Sequence, residues 1–345
     1  MNKSLLEYIC CPACSGNLSY VVPEFTKTEG KLECSDCGKI YIVKNNIPRF
    51  ASLDNNDDPL IEIKKHTKQN FGFEWQYYNK HGWEQHDNRR AIDAEKTLKV
   101  EKDSFFTKAI VENPTEFKEK LVLDAGCGNG RYIYQAVQLG AEVVGIDLSS
   151  ADVAFTNLGE NPKVHILQGD LHNPPLKDEL FDRIFSIGVL MHTGDAEKAF
   201  YSLCKKLKKN GIISIHVYKK GNFIYELIDR ILRKKTLQLD LEKLLALSSE
   251  LAKVGAFLMK TKNLTFGSPL LFSLTNCFIR LESHTHNVFD WYSAPIATHH
   301  TYCEVYKWFE NAGIKVIKDR NREKSFIRRI LKSPASGVTV KGIKL

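Results

Sequence analysis

Three aspartates, three glycines and four cysteines carry most of the chemical potential of this 345-residue chain. Asp124 is followed by Gly126, Gly128 and Gly130 at alternate positions in Asp-Ala-Gly-Cys-Gly-Asn-Gly. Glycines at that spacing let a backbone turn sharply and approach a ligand, where a helix N-terminus offers unpaired N–H groups. Asp147 ends the apolar run Val143-Val-Gly-Ile-Asp147, where a carboxylate can accept bonds from both ribose hydroxyls of a nucleoside. Asp170 ends a third such run, Val164-His-Ile-Leu-Gln-Gly-Asp170. Each aspartate could instead cap the following helix, and that alternative stays open. A nicotinamide enzyme is the natural rival, but its fingerprint spaces the last two glycines further apart, as G-x-G-x-x-G.

Cys11-Pro-Ala-Cys14 and Cys34-Ser-Asp-Cys37, with nineteen residues between the pairs, form an array suited to a tetrahedral Zn–S₄ site on two short knuckles. Gly16 and Gly38 fit the tight turns such knuckles need. Cys10 could take the place of Cys11, although Cys-Pro-x-Cys favours Cys11. The remaining cysteines are scattered and no secretory signal is visible, which points to a reducing, cytoplasmic setting and structural zinc rather than disulfides.

The elements that must position these residues follow from the apolar pattern. Runs at 121–123, 143–147, 164–168, 181–187 and 212–217 alternate with helical segments, the sequence form of a parallel sheet with helices on both faces. The polar, turn-rich stretch 52–59 reads as a linker. Between 219 and 295, Leu237, Leu241, Leu244, Leu245, Leu251 and Phe257 recur at helical spacing, so this insert should form a helical lid or substrate wall. The longest apolar stretch, Leu264 to Leu281, is interrupted by Ser268-Pro269, Thr275-Asn276 and Arg280, so no transmembrane segment is expected.

At this point the chain resembles the class I S-adenosylmethionine-dependent methyltransferases. Asp124 to Gly130 matches that family's first motif and Gly145-Ile-Asp-Leu-Ser149 its second. Gln168-Gly-Asp-Leu171 matches the adenine-binding turn and Phe181-Asp182 the start of the fourth strand, while Leu207-Lys-Lys-Asn-Gly211 stands where the turn before the fifth strand is usual. The resemblance covers about 118 to 218, with a closing element near 300 to 318. It implies a doubly wound, mostly parallel seven-stranded Rossmann-like α/β sheet. It also implies that Gly126, Gly128 and Gly130 sit under the methionine part of S-adenosylmethionine, Asp124 anchors the loop and the amino group, Asp147 holds the ribose, and Asp170 with Leu171 meets the adenine.

Residues 5 to 50 resemble the small zinc-ribbon proteins that partner tRNA and protein methyltransferases. The shared frame is Leu5-Leu-Glu-Tyr-Ile-Cys-Cys-Pro-Ala-Cys14, Leu32-Glu-Cys34 and Tyr41-Ile-Val-Lys-Asn-Asn-Ile-Pro-Arg49. The expected division is therefore 1–50 zinc ribbon, 51–117 linker and helices covering the cofactor site, 118–218 cofactor-binding core, 219–295 helical lid, and 296–345 closing helix and C-terminal strands.

Methyl transfer from a sulfonium needs alignment and, for some acceptors, removal of a proton. His192, just after the fourth strand, and His299 and His300, just before the closing helix, are the candidate catalytic residues. Each could equally be a packing histidine. Trp75, Tyr78, Trp291 and Tyr292 lie in aromatic clusters outside the core strands and are candidates for the substrate wall, with core packing as the ordinary alternative. No Asn- or Asp-Pro-Pro-Tyr follows the fourth strand and no cysteine lies there, which argues against the usual exocyclic-amine and pyrimidine-C5 chemistries.

The formal charge of +8 is local. Residues 205–262 hold 14 Lys and Arg against 5 Asp and Glu, and 315–345 hold 10 against 2, whereas the ribbon holds 6 against 5. Basic surfaces attract nucleic acid, phosphorylated metabolites or anionic lipid headgroups. The main expectation is methyl transfer to an O, N or C atom of a small or medium-sized metabolite: a sugar, natural-product or lipid-linked intermediate. One alternative is an rRNA or tRNA methyltransferase, because the layout of ribbon before catalytic domain resembles that of bacterial ribosomal-RNA guanine methyltransferases. A non-catalytic cofactor-binding scaffold is another. Peripheral membrane contact through the insert and homo-oligomerisation are open.

Overall fold

The computed structural model of the chain describes residues 1, 3–22, 28–51, 58–83, 102–261, 282–320 and 337–345. Most of the expected linker, the part of the lid at 262–281 and residues 321–336 of the basic C-terminal segment lie outside them.

The ribbon contributes β1 (Leu18–Val21), β2 (Gly30–Cys34), β3 (Ile40–Lys44) and β4 (Ile47–Arg49) as an antiparallel meander. Helix α1 (Ile61–Tyr77) follows. The nucleotide-fold half consists of β5 (Leu121–Ala125), α2 (Arg131–Gln138), β6 (Glu142–Asp147), α3 (Ala151–Leu158), β7 (Val164–Gln168), β8 (Phe181–Ile187), α4 (Ala196–Lys206) and β9 (Leu207–Val217). The insert supplies α5 (Phe223–Thr236), α6 (Leu241–Thr261) and α7 (Thr285–Ser293). The chain closes with α8 (Tyr302–Asn311), β10 (Ile314–Arg320) and β11 (Val338–Lys344).

The sheet has eleven strands in the order β1-β2-β3-β4-β7-β6-β5-β8-β9-β11-β10, four more than the seven expected. The seven from β7 to β10 are the expected unit, and the excess is the ribbon. Its last strand pairs in parallel with β7 at Arg49 and Gln168, so the two modules share one sheet. Phe50 N–H donates to the Gln168 carbonyl at 2.9 Å, and Arg49 makes a two-pronged ion pair with Asp152 of α3. The cores are also shared: Leu5, Ile9, Leu32 and Val43 of the ribbon lie in one buried cluster with Leu123, Val144 and Leu167.

β5, β6, β7, β8 and β9 run parallel, whereas β11 enters antiparallel to β9 and β10. Every residue of β7 is buried, as a strand covered on both faces requires. β9 begins at Leu207, so the expected turn before it is absorbed into the strand. Asn210 takes φ +62° and the register against β8 shifts between Phe181 and Arg183. No described helix is long and apolar enough to cross a membrane.

Candidate functional site

Strand order reverses direction between β5 and β8, and in open α/β sheets ligands bind beyond the strand C-termini at such a point. A cavity of about 500 Å³ lies there. Its floor comes from the strand-end loops: Gly126 to Asn129, Asp147 to Ser149, Gly169 to Leu171, and Ile187 to Val189. Phe71 and Trp75 of α1 and His286, Asn287 and Asp290 of α7 also line it.

Backbone demands explain the glycines. Gly126, Gly128 and Gly130 take φ of +90°, +54° and +85°, which L side chains rarely adopt. A Cβ on Gly126 would stand 2.3 Å from Val189 Cγ2, and one on Gly128 would meet the Trp75 ring at 3.0 Å. Trp75 therefore lies directly over the loop, with the Arg131 guanidinium 5.3 Å from its ring centre. Gly126→Ala should cost about 2–4 kcal/mol, the sum of left-handed strain and overpacking. The urea midpoint measures it; an unchanged midpoint would refute this account of the loop.

The three aspartates differ. Asp147 accepts from the Gly128, Ser149 and Ser150 N–H groups at 2.8–2.9 Å and from the Ser149 hydroxyl at 3.0 Å. Its carboxylate thus ties the glycine loop to the start of α3 while facing the cavity. Asp170 receives the His172 N–H at 2.9 Å and pairs with Lys64 of α1 at 2.6 Å. Asp124 is buried and does not line the cavity, and its Oδ2 has no partner among the described residues. Burial, and secondarily the Asp147 charge, pushes its carboxyl well above the usual range.

Of the candidate histidines, His192 lines the cavity. It is buried, with Nδ1 2.7 Å from the Ile296 carbonyl and Nε2 unpartnered. A carbonyl accepts only, so Nδ1 carries the proton and Nε2 presents its lone pair. Burial lowers its pKa to about 4. The rings of Phe71 and Tyr218 stand 5.1 and 5.3 Å away. His299 and His300 are not in the wall. Residues 218–220 bridge to 300 and turn both rings elsewhere: His299 meets Glu226 at 2.7 Å and stacks on Trp291, while His300 meets Thr298 at 2.8 Å and packs on Trp308.

Trp75 lines the cavity; Tyr78, Trp291 and Tyr292 do not. The Tyr78 ring packs edge-on against His286 at 4.8 Å. Trp291 donates to Asp229 at 2.7 Å, and both Trp291 and Tyr292 belong to the buried core between α7 and the other insert helices. α7 turns its apolar face to those helices and its polar face, His286, Asn287 and Asp290, to the cavity. None of the three is among the site residues expected from sequence. The signal of that face is the i, i+4 pair His286 and Asp290. Behind it, fully buried Glu74 of α1 lies 3.0 Å from His286 Nε2, and burial, then the Asp290 charge, raises its carboxyl to about 7.

In the ribbon, the Sγ atoms of Cys11, Cys14, Cys34 and Cys37 all lie within 4.8 Å of one another, with 3.4 Å for Cys14–Cys34 and 3.7 Å for Cys11–Cys37. Tetrahedral zinc with bonds of about 2.3 Å needs sulfurs about 3.8 Å apart, so this donor set fits the ion. Cys10 stands outside the cluster, its thiol donating to the Leu176 carbonyl at 3.2 Å. The two knuckles are turns in which the Ser15 N–H bonds the Cys11 carbonyl and the Gly38 N–H that of Cys34.

Residues 123–215 match the family described as Methyltransferase domain, and residues 2–46 match that described as Trm112p-like protein. Phosphoethanolamine N-methyltransferase 1 of Zea mays is 34% identical over 130 residues, 34% of this chain and 26% of that protein. The tRNA U34 carboxymethyltransferase of Tolumonas auensis is 35% identical over 109 residues, 30% of this chain and 33% of that protein. The chain thus spans about a quarter to a third of the length of these relatives. Magnesium protoporphyrin IX methyltransferase of Synechocystis PCC 6803, solved with bound SAH, aligns over 82% of this chain and 99% of its own at 13% identity, with a TM-score of 0.45.

Proposed function

From a chain that joins a class I S-adenosylmethionine-dependent methyltransferase domain to a Trm112-like zinc ribbon, we infer an enzyme that methylates an acceptor held against His192. The observation that carries this is the convergence of the glycine loop, Asp147, Asp170 and the unpartnered His192 Nε2 on one cavity. The division drawn at 50, 117, 218 and 295 belongs to the same proposal.

In this reading Gly126, Gly128 and Gly130 admit the methionine part of the cofactor, with Trp75 closing over it. Asp124, buried behind the loop and outside the cavity wall, is left in this reading as the loop anchor. Asp147 binds the ribose hydroxyls, and Asp170 and Leu171 border the adenine. When bound, the sulfonium would supply an activated methyl carbon, its S–CH3 bond breaking to leave a neutral thioether. His192 Nε2 then accepts the proton that the acceptor atom sheds as its bond to carbon forms.

For the acceptor we favour an RNA base, which the relatives named for tRNA support better than the metabolite reading. An unstacked base entering a cavity walled by Phe71, Trp75 and Tyr218 would find stacking surfaces there. A small metabolite is the second reading, supported by the relative that acts on phosphoethanolamine. Incubation of the protein with methyl-tritiated S-adenosylmethionine and either total RNA or a small-molecule extract separates the two. Label in RNA is expected. Label only in the extract selects the second reading, and tight cofactor binding with no label anywhere reduces the protein to a scaffold.

Because burial holds His192 neutral down to about pH 4, its ionisation should leave kcat/KM flat between about pH 6 and 8. His192→Ala should lower kcat about 100-fold while leaving the Kd for S-adenosylhomocysteine unchanged. Full activity in that variant would remove His192 from the chemistry.

A further inference from the structure

We propose that the outward face of α5 is a docking surface for an anionic phospholipid bilayer. The helix turns four large apolar side chains to solvent: Phe223, 80% exposed, with Ile224, Leu227 and Ile231 at 51%, 44% and 49%. Phe223, Leu227 and Ile231 recur every fourth residue and so form one stripe. Its exposed charged residues are Arg230, Lys234 and Lys235, and Lys220 is exposed just before the helix. None of Arg230, Lys234 and Lys235 is ion-paired among the described residues.

The two acids of α5 are used inward. Asp229 is buried against Arg233 and Trp291, and Glu226 pairs with His299. What remains outside is an apolar stripe with positive charge alone. That combination suits a surface with acyl chains below and anionic headgroups above. An RNA backbone would use the lysines and leave Phe223, Leu227 and Ile231 in water. A second protein copy would set the basic residues of two identical surfaces near each other unless acids came from elsewhere.

The position of α5 gives the contact a consequence. Arg233 reaches the Ala294 carbonyl and Thr236 that of Tyr292, so α5 is strapped to α7, whose opposite face lines the cavity. A bilayer under α5 would thus lie one helix layer from the acceptor site. The inference concerns the surface and is independent of which acceptor is methylated.

The test is co-sedimentation of the full chain with vesicles of phosphatidylcholine alone and of equal parts phosphatidylcholine and phosphatidylglycerol. Binding to the anionic vesicles is expected, weakening as salt rises. Lys234→Glu/Lys235→Glu should reduce it at least tenfold, and Leu227→Glu/Ile231→Glu by a similar factor. Unchanged calorimetric binding of S-adenosylhomocysteine in both variants confirms that they are folded. Absence of wild-type binding, or equal binding by the variants, overturns the proposal. So does a wild-type dimer that Leu227→Glu/Ile231→Glu converts to monomer, or RNA retention that only the lysine variant loses.

Discussion

Asp147→Ala is expected to weaken S-adenosylhomocysteine binding by about 100-fold or more in calorimetry. Two hydrogen bonds from ribose hydroxyls to a carboxylate contribute about 1.5–3 kcal/mol each, and alanine removes both acceptors. A second loss compounds the first. The same carboxylate gathers the Gly128, Ser149 and Ser150 N–H groups and the Ser149 hydroxyl, so its removal frees the Gly128 end of the loop from the start of α3, while Gly126 and Cys127 keep their bonds to the Ile146 carbonyl. A comparison with Asp147→Asn divides the two contributions, because Asn keeps one side-chain carbonyl and loses the charge. If Asp147→Ala left the affinity unchanged while the circular dichroism spectrum matched wild type, the carboxylate would be a loop tie alone and the ribose assignment would fall.

Asp147 also shows why a sequence reading of this site stops where it does. Helix capping and ligand binding are the alternatives that sequence offers, and the structure shows a carboxylate that binds the Ser149 and Ser150 N–H groups just ahead of α3 and still faces the cavity. Local order makes such residues legible: the glycines recur at alternate positions, the acids end apolar runs, and the cysteines stand in two C-x-x-C pairs. What could not be read depends on distant contacts. The pairing of β4 with β7 rests on one register pair, Arg49 with Gln168, and nothing local announces it.

α7 is the clearest case. Its aromatic residues are candidates for a substrate wall from sequence because they cluster outside the core strands. The insert has a core of its own, and Val288, Phe289, Trp291 and Tyr292 fill it. Only the polar stripe His286, Asn287 and Asp290 is left for the cavity. His299 follows the same logic, since half-buried Glu226 and buried Trp291 claim its ring.

The largest stability effect should come from the four cysteines. Structural zinc in small modules contributes about 10–16 kcal/mol of apparent binding free energy at neutral pH, and that energy is folding energy. The ribbon strands, three to five residues long, have little else to hold the Cys11 and Cys34 knuckles together. The part of the ribbon sharing the core of the nucleotide fold, Leu5, Ile9, Leu32 and Val43, is expected to keep some order without the ion. The protein should therefore contain one zinc per chain, and chelation should lower its Tm by about 10 °C or more. Cys14→Ser isolates the cause, because Cys14 is exposed and its replacement disturbs no packing, so any fall in Tm reports coordination alone. Cys10→Ser is the control. That thiol is buried on the Leu176 carbonyl outside the cluster, so the variant should retain its zinc. Retained metal in Cys14→Ser with loss in Cys10→Ser would reverse the ligand set. No zinc in anaerobically purified wild type would leave the knuckles to be explained by hydrogen bonding alone.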